Sequence, residues 1–319
     1  MKSKTKRIVR TNLIGFLFII PLLAYFLLFQ LAPMVLSFII SFTDWEGFGA
    51  LNFIGLQNYI AVLTNQDNLY PYFWKSLLVT VEYILLTVPL SIVCALVVSA
   101  LLNNKIKGET FFKTAFYIPS CTAAVANIVL WKFMLDPNYG MINQIFGTNV
   151  NFLGKEGLDL VMISLMSIWG GVGYNVLIML SAMKNIDSSL YEVARIEGVS
   201  GFKQFLHITI PGVMPTIFFF LVTGLIGGFQ CFEAMYLMTG TGVNHSTYTY
   251  IYGVYETSMT NGQLGLGSAM SYLLFILILG ITIIQFRMLP QDTTKSFRKF
   301  SRKKPNSLAF ATVEEKDDD

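Results

Sequence analysis

Apolar residues in this chain do not alternate with polar ones but come in long blocks separated by short polar segments. About 20 apolar residues cross the hydrocarbon core of a bilayer as a helix. Six blocks reach that length, at roughly 13–42, 76–102, 114–135, 158–183, 213–238 and 268–289. The pattern therefore predicts an all-α integral membrane protein with six transmembrane helices. The first block, Leu13 to Phe42, is too long for a signal-peptide core and lacks a small-x-small cleavage site, so it reads as an uncleaved span. Pro21 and Pro33 predict kinks within it.

The longest polar interruption of the second half is Ser188 to Pro215. Ser189 and Glu192 have the S-x-x-E spacing of a capping box, which predicts a helix starting near Leu190. Leu190, Val193, Ala194 and Ile196 are expected on one side of it, with Glu192, Arg195 and Glu197 elsewhere. Gly198 stands where a helix-ending glycine belongs. Ser200 is then placed to cap a second helix, Gly201 to Ile208, which should end before Pro211. A helix-turn-helix where a few loop residues would suffice predicts a docking partner.

Composition agrees with the membrane reading. Of 319 residues, 54% are hydrophobic and only 13% charged, and mean hydropathy is +0.59; soluble domains carry about 25% charged residues. The formal net charge of +3 hides a strong pattern. Nineteen of the 22 Lys and Arg residues fall in the N-terminus, the 103–113 loop, the 184–212 loop or the tail from Arg287, while the opposite side holds Lys75 and Lys155. The positive-inside rule then places both termini and the polar helix pair in the cytoplasm. The chain divides into a basic N-terminus (1–12), a transmembrane domain (13–290, with the polar loop at 188–215) and a charged, disordered tail (291–319). Cys94, Cys121 and Cys231 lie in apolar stretches, and His207 and His245 are too few and too distant for a metal cluster. No Ser/His, Asp/Asp or H-E-x-x-H constellation supports an intramembrane enzyme, and no internal repeat supports a stand-alone secondary transporter.

Glu192, Val193, Ala194 and Gly198, followed by Phe205, Ile208, Pro211 and Pro215, resemble the EAA loop of ABC importer permeases, with Val193, Glu197 and Val199 as conservative departures. The chain is most similar to the carbohydrate-uptake branch of that family. Phe53-Ile54-Gly55-Leu56-Gln57-Asn58-Tyr59 resembles the F-x-G-L-x-N-Y element after its first span, and Asp136-Pro137, Gly140 and Asn143 a short hairpin between spans three and four. Gly265, Gly267, Ser268 and Ala269 are similar to its G-x-x-S-A start of the last span, where packing is a sufficient role. The segment Thr239 to Val243 lacks the family's Gly-Gly-Pro.

The resemblance implies a type I ABC importer permease fold and a cytoplasmic coupling helix on which Glu192, Val193, Ala194, Arg195, Glu197 and Gly198 meet an ATPase. It implies as partners a second homologous permease chain, two ATPase subunits, an extracytoplasmic solute-binding protein, a carbohydrate substrate and the lipid membrane of a bacterial cell, with no nucleic acid. The chain has no G-x-x-x-x-G-K-[ST] loop, so it is expected to hold no cofactor itself, ATP and Mg belonging to the ATPases. Candidate pathway residues come from the glycine-rich fourth and fifth spans: Gly171, Tyr174 and Asn175, then Gly224, Gly228, Gln230, Cys231 and Glu233. Gly224, Gly228 and Cys231 share one helical face. Gly171 and Tyr174 fall where the maltose permease lines its sugar site. An intramembrane carboxylate costs at least ~2.5 kcal/mol on insertion scales, which favours a pathway role for Glu233; Glu82, near the start of span two, is expected simply to reach water. The alternative substrate is a non-sugar solute such as a phosphodiester or polyamine.

The charge pattern makes a direct prediction. In intact cells, cysteines introduced at Asn65 and Asn149 should react with an impermeant thiol reagent, and one at Gln204 should not; the reverse pattern would overturn the topology.

Overall fold

The computed structural model describes residues 17–65, 72–104 and 107–288. The basic N-terminus, residues 13–16 of the first apolar block, Lys105 and the charged tail lie outside the described residues. Packing divides the chain into two units, Met1–Leu279 and Gly280–Asp319; the described part of the second is the end of the last helix.

The described residues are helical apart from loops and one isolated antiparallel bridge, Thr43 with Phe53. We number the helices α1 (Leu17–Ile40), α2 (Gln57–Thr64), α3 (Phe73–Asn103), α4 (Glu109–Cys121), α5 (Ala124–Met134) and α6 (Met141–Phe146). They continue as α7 (Leu158–Lys184), α8 (Ser188–Ile196), α9 (Gly201–Gly212), α10 (Met214–Phe229), α11 (Glu233–Met238), α12 (Tyr250–Tyr255) and α13 (Leu264–Met288). Four of them, α1, α3, α7 and α13, are long and apolar enough to cross a membrane. The count reaches six only if the pairs α4–α5, bent by 99°, and α9–α10, bent by 64°, each make one span.

Two expected spans are thus not single helices. The 114–135 block breaks at Thr122 and Ala123, whose extended backbone (ψ 138° and 135°) follows Pro119 by one turn. The 213–238 block stops at Phe229 and resumes at Glu233. By contrast, α1 runs through both of its prolines. A single wide turn at Leu27–Leu31, closed by the Ala32 amide donating to the Leu27 carbonyl, precedes Pro33 and absorbs its missing donor.

The core forms where α3 and α7 pack along their length. Ala95 and Leu102 meet Ile168, Val172, Val176 and Leu180, and the Ser99 hydroxyl donates to the Val176 carbonyl at 3.0 Å. Small residues bring the other helices close, as expected where lipid removes any hydrophobic drive between helices. A Cβ on Gly224 would lie 3.0 Å from Val88, and one on Gly228 2.5 Å from Ile84, so α10 rests directly on α3. A Cβ on Gly173 would lie 2.0 Å from the Phe116 carbonyl, where α4 crosses α7.

The connecting motifs prove structural. Asn58 donates to the Ser41 and Thr43 carbonyls (3.0 and 2.8 Å), and the Tyr59 hydroxyl lies 2.7 Å from that of Ser41, so the segment after α1 clamps its end. Asn143 staples the hairpin before α7, donating to Asp136 and Val150 carbonyls and accepting from Thr148 and the Val150 amide. Gly265 packs on the Thr43 carbonyl and Gly267 on Ser258, in keeping with the packing role expected for them.

Gly173 offers a clean test, with Gly171 as control because nothing lies within 4 Å of its added Cβ. Gly173→Ala should cost roughly 1–3 kcal/mol through overpacking, lowering the Tm in lipid nanodiscs, while Gly171→Ala leaves it unchanged.

Candidate transport pathway and coupling loop

The two helix breaks line one cavity. Its volume is about 560 Å³, and its walls come from Pro119, Ser120 and Thr122 at the first break, Asn127 on α5, Ser167 and Gly170 on α7, and Gln230 to Ala234 at the second break. Interrupted helices expose backbone that must be satisfied within the protein. Here the Thr122 amide donates to the Pro119 carbonyl (3.2 Å), and the Thr249 hydroxyl donates to the Cys231 carbonyl (3.2 Å). Asn127 is nine-tenths buried in the wall and its carboxamide oxygen has no partner. The carboxylate of Glu233 is exposed and makes no ion pair with any described residue.

A second cavity of about 330 Å³ lies between α3, α7 and α10 and shares Cys231 and Ser167 with the first. Asn175 lines it and donates to the Ser91 hydroxyl at 3.0 Å; Gly224 and Gly228 also line it, though their close contacts are the packing on α3. Six of the eight candidate pathway residues line these two adjoining cavities: Asn175, Gly224, Gly228, Gln230, Cys231 and Glu233. Cys231 does not continue the helical face of Gly224 and Gly228, because α10 ends at Phe229. Gly171 and Tyr174 line neither cavity; Tyr174 is exposed on the outer side of α7. Ser91, Tyr83, Ser167, Asn127 and the Pro119–Thr122 segment are polar contributors that spacing alone missed. For the last of these the sequence signal was the run Pro119-Ser120-Cys121-Thr122 inside an apolar block.

Glu82 is exposed on α3. Thr247, in the loop after α11, is fully buried, and the neighbouring Ser246 donates to the buried Asp159 carboxylate. That loop is held by the body of the protein.

The polar loop keeps its two helices, with three corrections. First, α8 starts at Ser188, not near Leu190, because Asp187 is its N-cap and accepts from the Ser189 amide at 2.9 Å. That bond holds the Asp187 carboxyl below its usual range, and Glu192 closes no capping box. Secondly, Ala194 is buried with Leu190 and Tyr191 partly so, whereas Val193 and Ile196 point outward; Ile196 is 87% exposed. Ala194 is therefore turned toward the body. Thirdly, α9 does not end before Pro211. A wide turn at Phe205–Thr209, with the Ile210 amide donating to Phe205, carries the helix on to Gly212.

Gly198 behaves as expected. Its φ is +70°, and the amides of Gly198 and Val199 donate to the carbonyls of Arg195 (3.0 Å) and Ala194 (2.9 Å), the paired bonds of a Schellman turn. Gln204 donates to the Val199 carbonyl, and the Tyr191 hydroxyl lies 2.9 Å from that of Thr209, tying α8 to α9. The exposed apolar residues of the pair include Val193, Ile196 and Phe202, the last 72% exposed. Glu192, Arg195 and Phe202 line a cavity of about 740 Å³ between the pair and the end of α3.

A helical membrane body with broken spans around a cavity and an apolar-faced surface helix pair defines a solute permease that takes its energy from elsewhere. The chain belongs to the family described as binding-protein-dependent transport system inner membrane component, which matches residues 57–290. Over 293 residues it is 33% identical to the probable ABC transporter permease protein YesP of Bacillus subtilis, covering 89% of this chain and 93% of that one. It is 30% identical to the trehalose/maltose transport system permease protein MalF of Thermococcus litoralis, covering 90% and 97%. The fold is similar to a crystal structure of a bacterial alginate ABC transporter in complex with an alginate pentasaccharide-bound periplasmic protein. That likeness has a TM-score of 0.79 at 18% identity and covers 90% of this chain and 97% of that chain. The protein is thus an integral membrane permease subunit of a binding-protein-dependent ABC system, with the type I importer fold, and not an enzyme.

Because nothing lies within 4 Å of an added Cβ at Gly198, any penalty there is conformational. A left-handed backbone costs a β-branched residue roughly 1–2 kcal/mol, and Asn much less. Hydrogen exchange should therefore speed up at the Gly198 and Val199 amides in Gly198→Val and stay near wild type in Gly198→Asn.

Proposed function

We propose that this subunit carries a carbohydrate, in particular an oligosaccharide, from an extracytoplasmic binding protein into the cytoplasm by alternating access. The observation that carries the reading is the cavity between the two broken spans, walled by Ser120, Thr122, Asn127, Ser167, Gln230 and Glu233 alongside Phe232. Hydroxyls and amides beside an aromatic face suit a sugar. The names of relatives that transport trehalose and maltose, or lactose, support the same class. A polyamine would call for several carboxylates, and among the described residues Glu233 is the one in the lining.

In this reading the partners are a second, homologous permease chain and two ATPase subunits that bind ATP and Mg, and both termini are cytoplasmic. The ATPase docks on the outward face of α8, where Val193 and Ile196 leave apolar surface uncovered. Movement then has a mechanical route. The α8 helix is tied to α9 by Tyr191 and Thr209, α9 runs through the bend at Val213 into α10, and α10 ends at the break that lines the cavity. A rigid-body shift of the helix pair can thereby open the cavity to alternate sides.

The test separates docking from transport. Ile196→Asp should leave the protein inserted, release co-purifying ATPase subunits and abolish sugar-stimulated ATP turnover in reconstituted membranes; Gly198→Val should weaken both. Retention of wild-type co-purification and turnover by both variants would refute the docking face.

A further inference from the structure

Phe232, in the cavity wall, belongs to a cluster of rings whose other members line neither cavity. Beyond the end of α10, the broken backbone turns Phe232 into the cavity wall. Its ring stacks on Tyr236 with centroids 5.1 Å apart and planes inclined by 23°. Tyr255 closes the group, 4.7 Å from Phe232 and 5.4 Å from Tyr236. Beneath them Tyr252, nearly buried, lies 6.0 Å from Phe232 and 5.8 Å from Tyr236 and supports both.

A ring cluster built only for packing hides its members. This one buries Tyr252 but leaves Tyr236 42% exposed, beside the accessible carboxylate of Glu233. We propose that Phe232, Tyr236 and Tyr255 form a stacking platform for a pyranose ring at the mouth of the cavity. This rests on the carbohydrate reading and extends it to the feature of the sugar that is recognised. The face of an aromatic ring is electron-rich, and one face of a pyranose presents a patch of weakly positive axial C–H groups. The equatorial hydroxyls around that patch need polar partners, and Glu233 and Gln230 stand at the platform's edge where the cavity begins. Asn127, whose carboxamide oxygen is buried and unpartnered, lies in the same cavity wall. The platform selects ring shape, so an open-chain polyol with the same hydroxyl groups is a poor ligand.

The test uses the complete importer purified with its partner subunits in nanodiscs. Ala124 lines the cavity and is exposed, so Ala124→Cys, in a Cys121→Ser background, reports occupancy through its rate of maleimide labelling. The probes are maltopentaose, cellopentaose and sorbitol. At least one of the two glycans should slow labelling while sorbitol does not. Tyr236→Leu, which keeps apolar bulk but loses the ring, should raise the half-protecting glycan concentration by about tenfold, the upper range for one aromatic contact. Tyr255→Leu should act in the same direction, and Tyr236→Phe should restore protection. Equal protection in Tyr236→Leu and wild type, or protection by sorbitol, overturns the platform and leaves sugar import standing. A complex that retains its ATPases but is protected by neither glycan overturns the carbohydrate reading of the cavity, and the platform with it.

Discussion

Within hydrocarbon, every backbone amide and carbonyl must find its partner inside the protein. The rest of this structure depends on how that demand is met at two places where helices stop short. At the first, Pro119 has already removed a donor, and the Thr122 amide returns to the Pro119 carbonyl. At the second, the Gln230 and Cys231 amides turn back onto Gly227 and Gly228, and Thr249 reaches across to cap the Cys231 carbonyl. Broken backbone can lie at membrane depth only because it is so satisfied, and it is the breaks that open a polar cavity between otherwise apolar helices.

Close packing supplies the frame that holds the breaks in place. Gly224 and Gly228 let α10 lie directly on α3, and Gly173 lets α4 cross α7 at its backbone. The same glycines therefore bear on the cavity without offering it a functional group. Their contribution is position, since a methyl group at Gly228 or Gly173 would sit well inside contact distance of its neighbour. Asn175 is the intermediate case: its amide lines a cavity but is already engaged with Ser91.

The surface helix pair obeys a different physics, that of exposed helix ends. Asp187 begins α8 and a Schellman turn at Gly198 ends it, so a nine-residue helix too short to be stable alone is fixed at both termini. Side-chain bonds from Tyr191 and Gln204 then join it to its neighbour. The outcome is a stiff unit that keeps Ala194 against the body and leaves Val193 and Ile196 exposed, which is the geometry a docking element requires.

Much of this was legible along the chain. Block hydrophobicity is a local property, so the apolar segments, the polar pair between them and the left-handed turn at Gly198 followed from spacing and composition. Proline pointed to the wrong span: the first, with Pro21 and Pro33, runs on as one helix, and the breaks come at Thr122 and Gln230. Other features depended on competition between local signals or on distant neighbours. Asp187 and Ser189 are both good caps, and only the folded loop shows that Asp187 prevails. A wide turn let α9 pass Pro211, an option that the sequence rule for proline does not weigh. Whether a glycine packs or lines a cavity, which face of α8 is buried, and that the breaks at Thr122 and Gln230 lie across the same space, were decided by tertiary structure. Those contacts join residues about a hundred positions apart, and a periodicity read within one segment carries no information about what the next segment places against it.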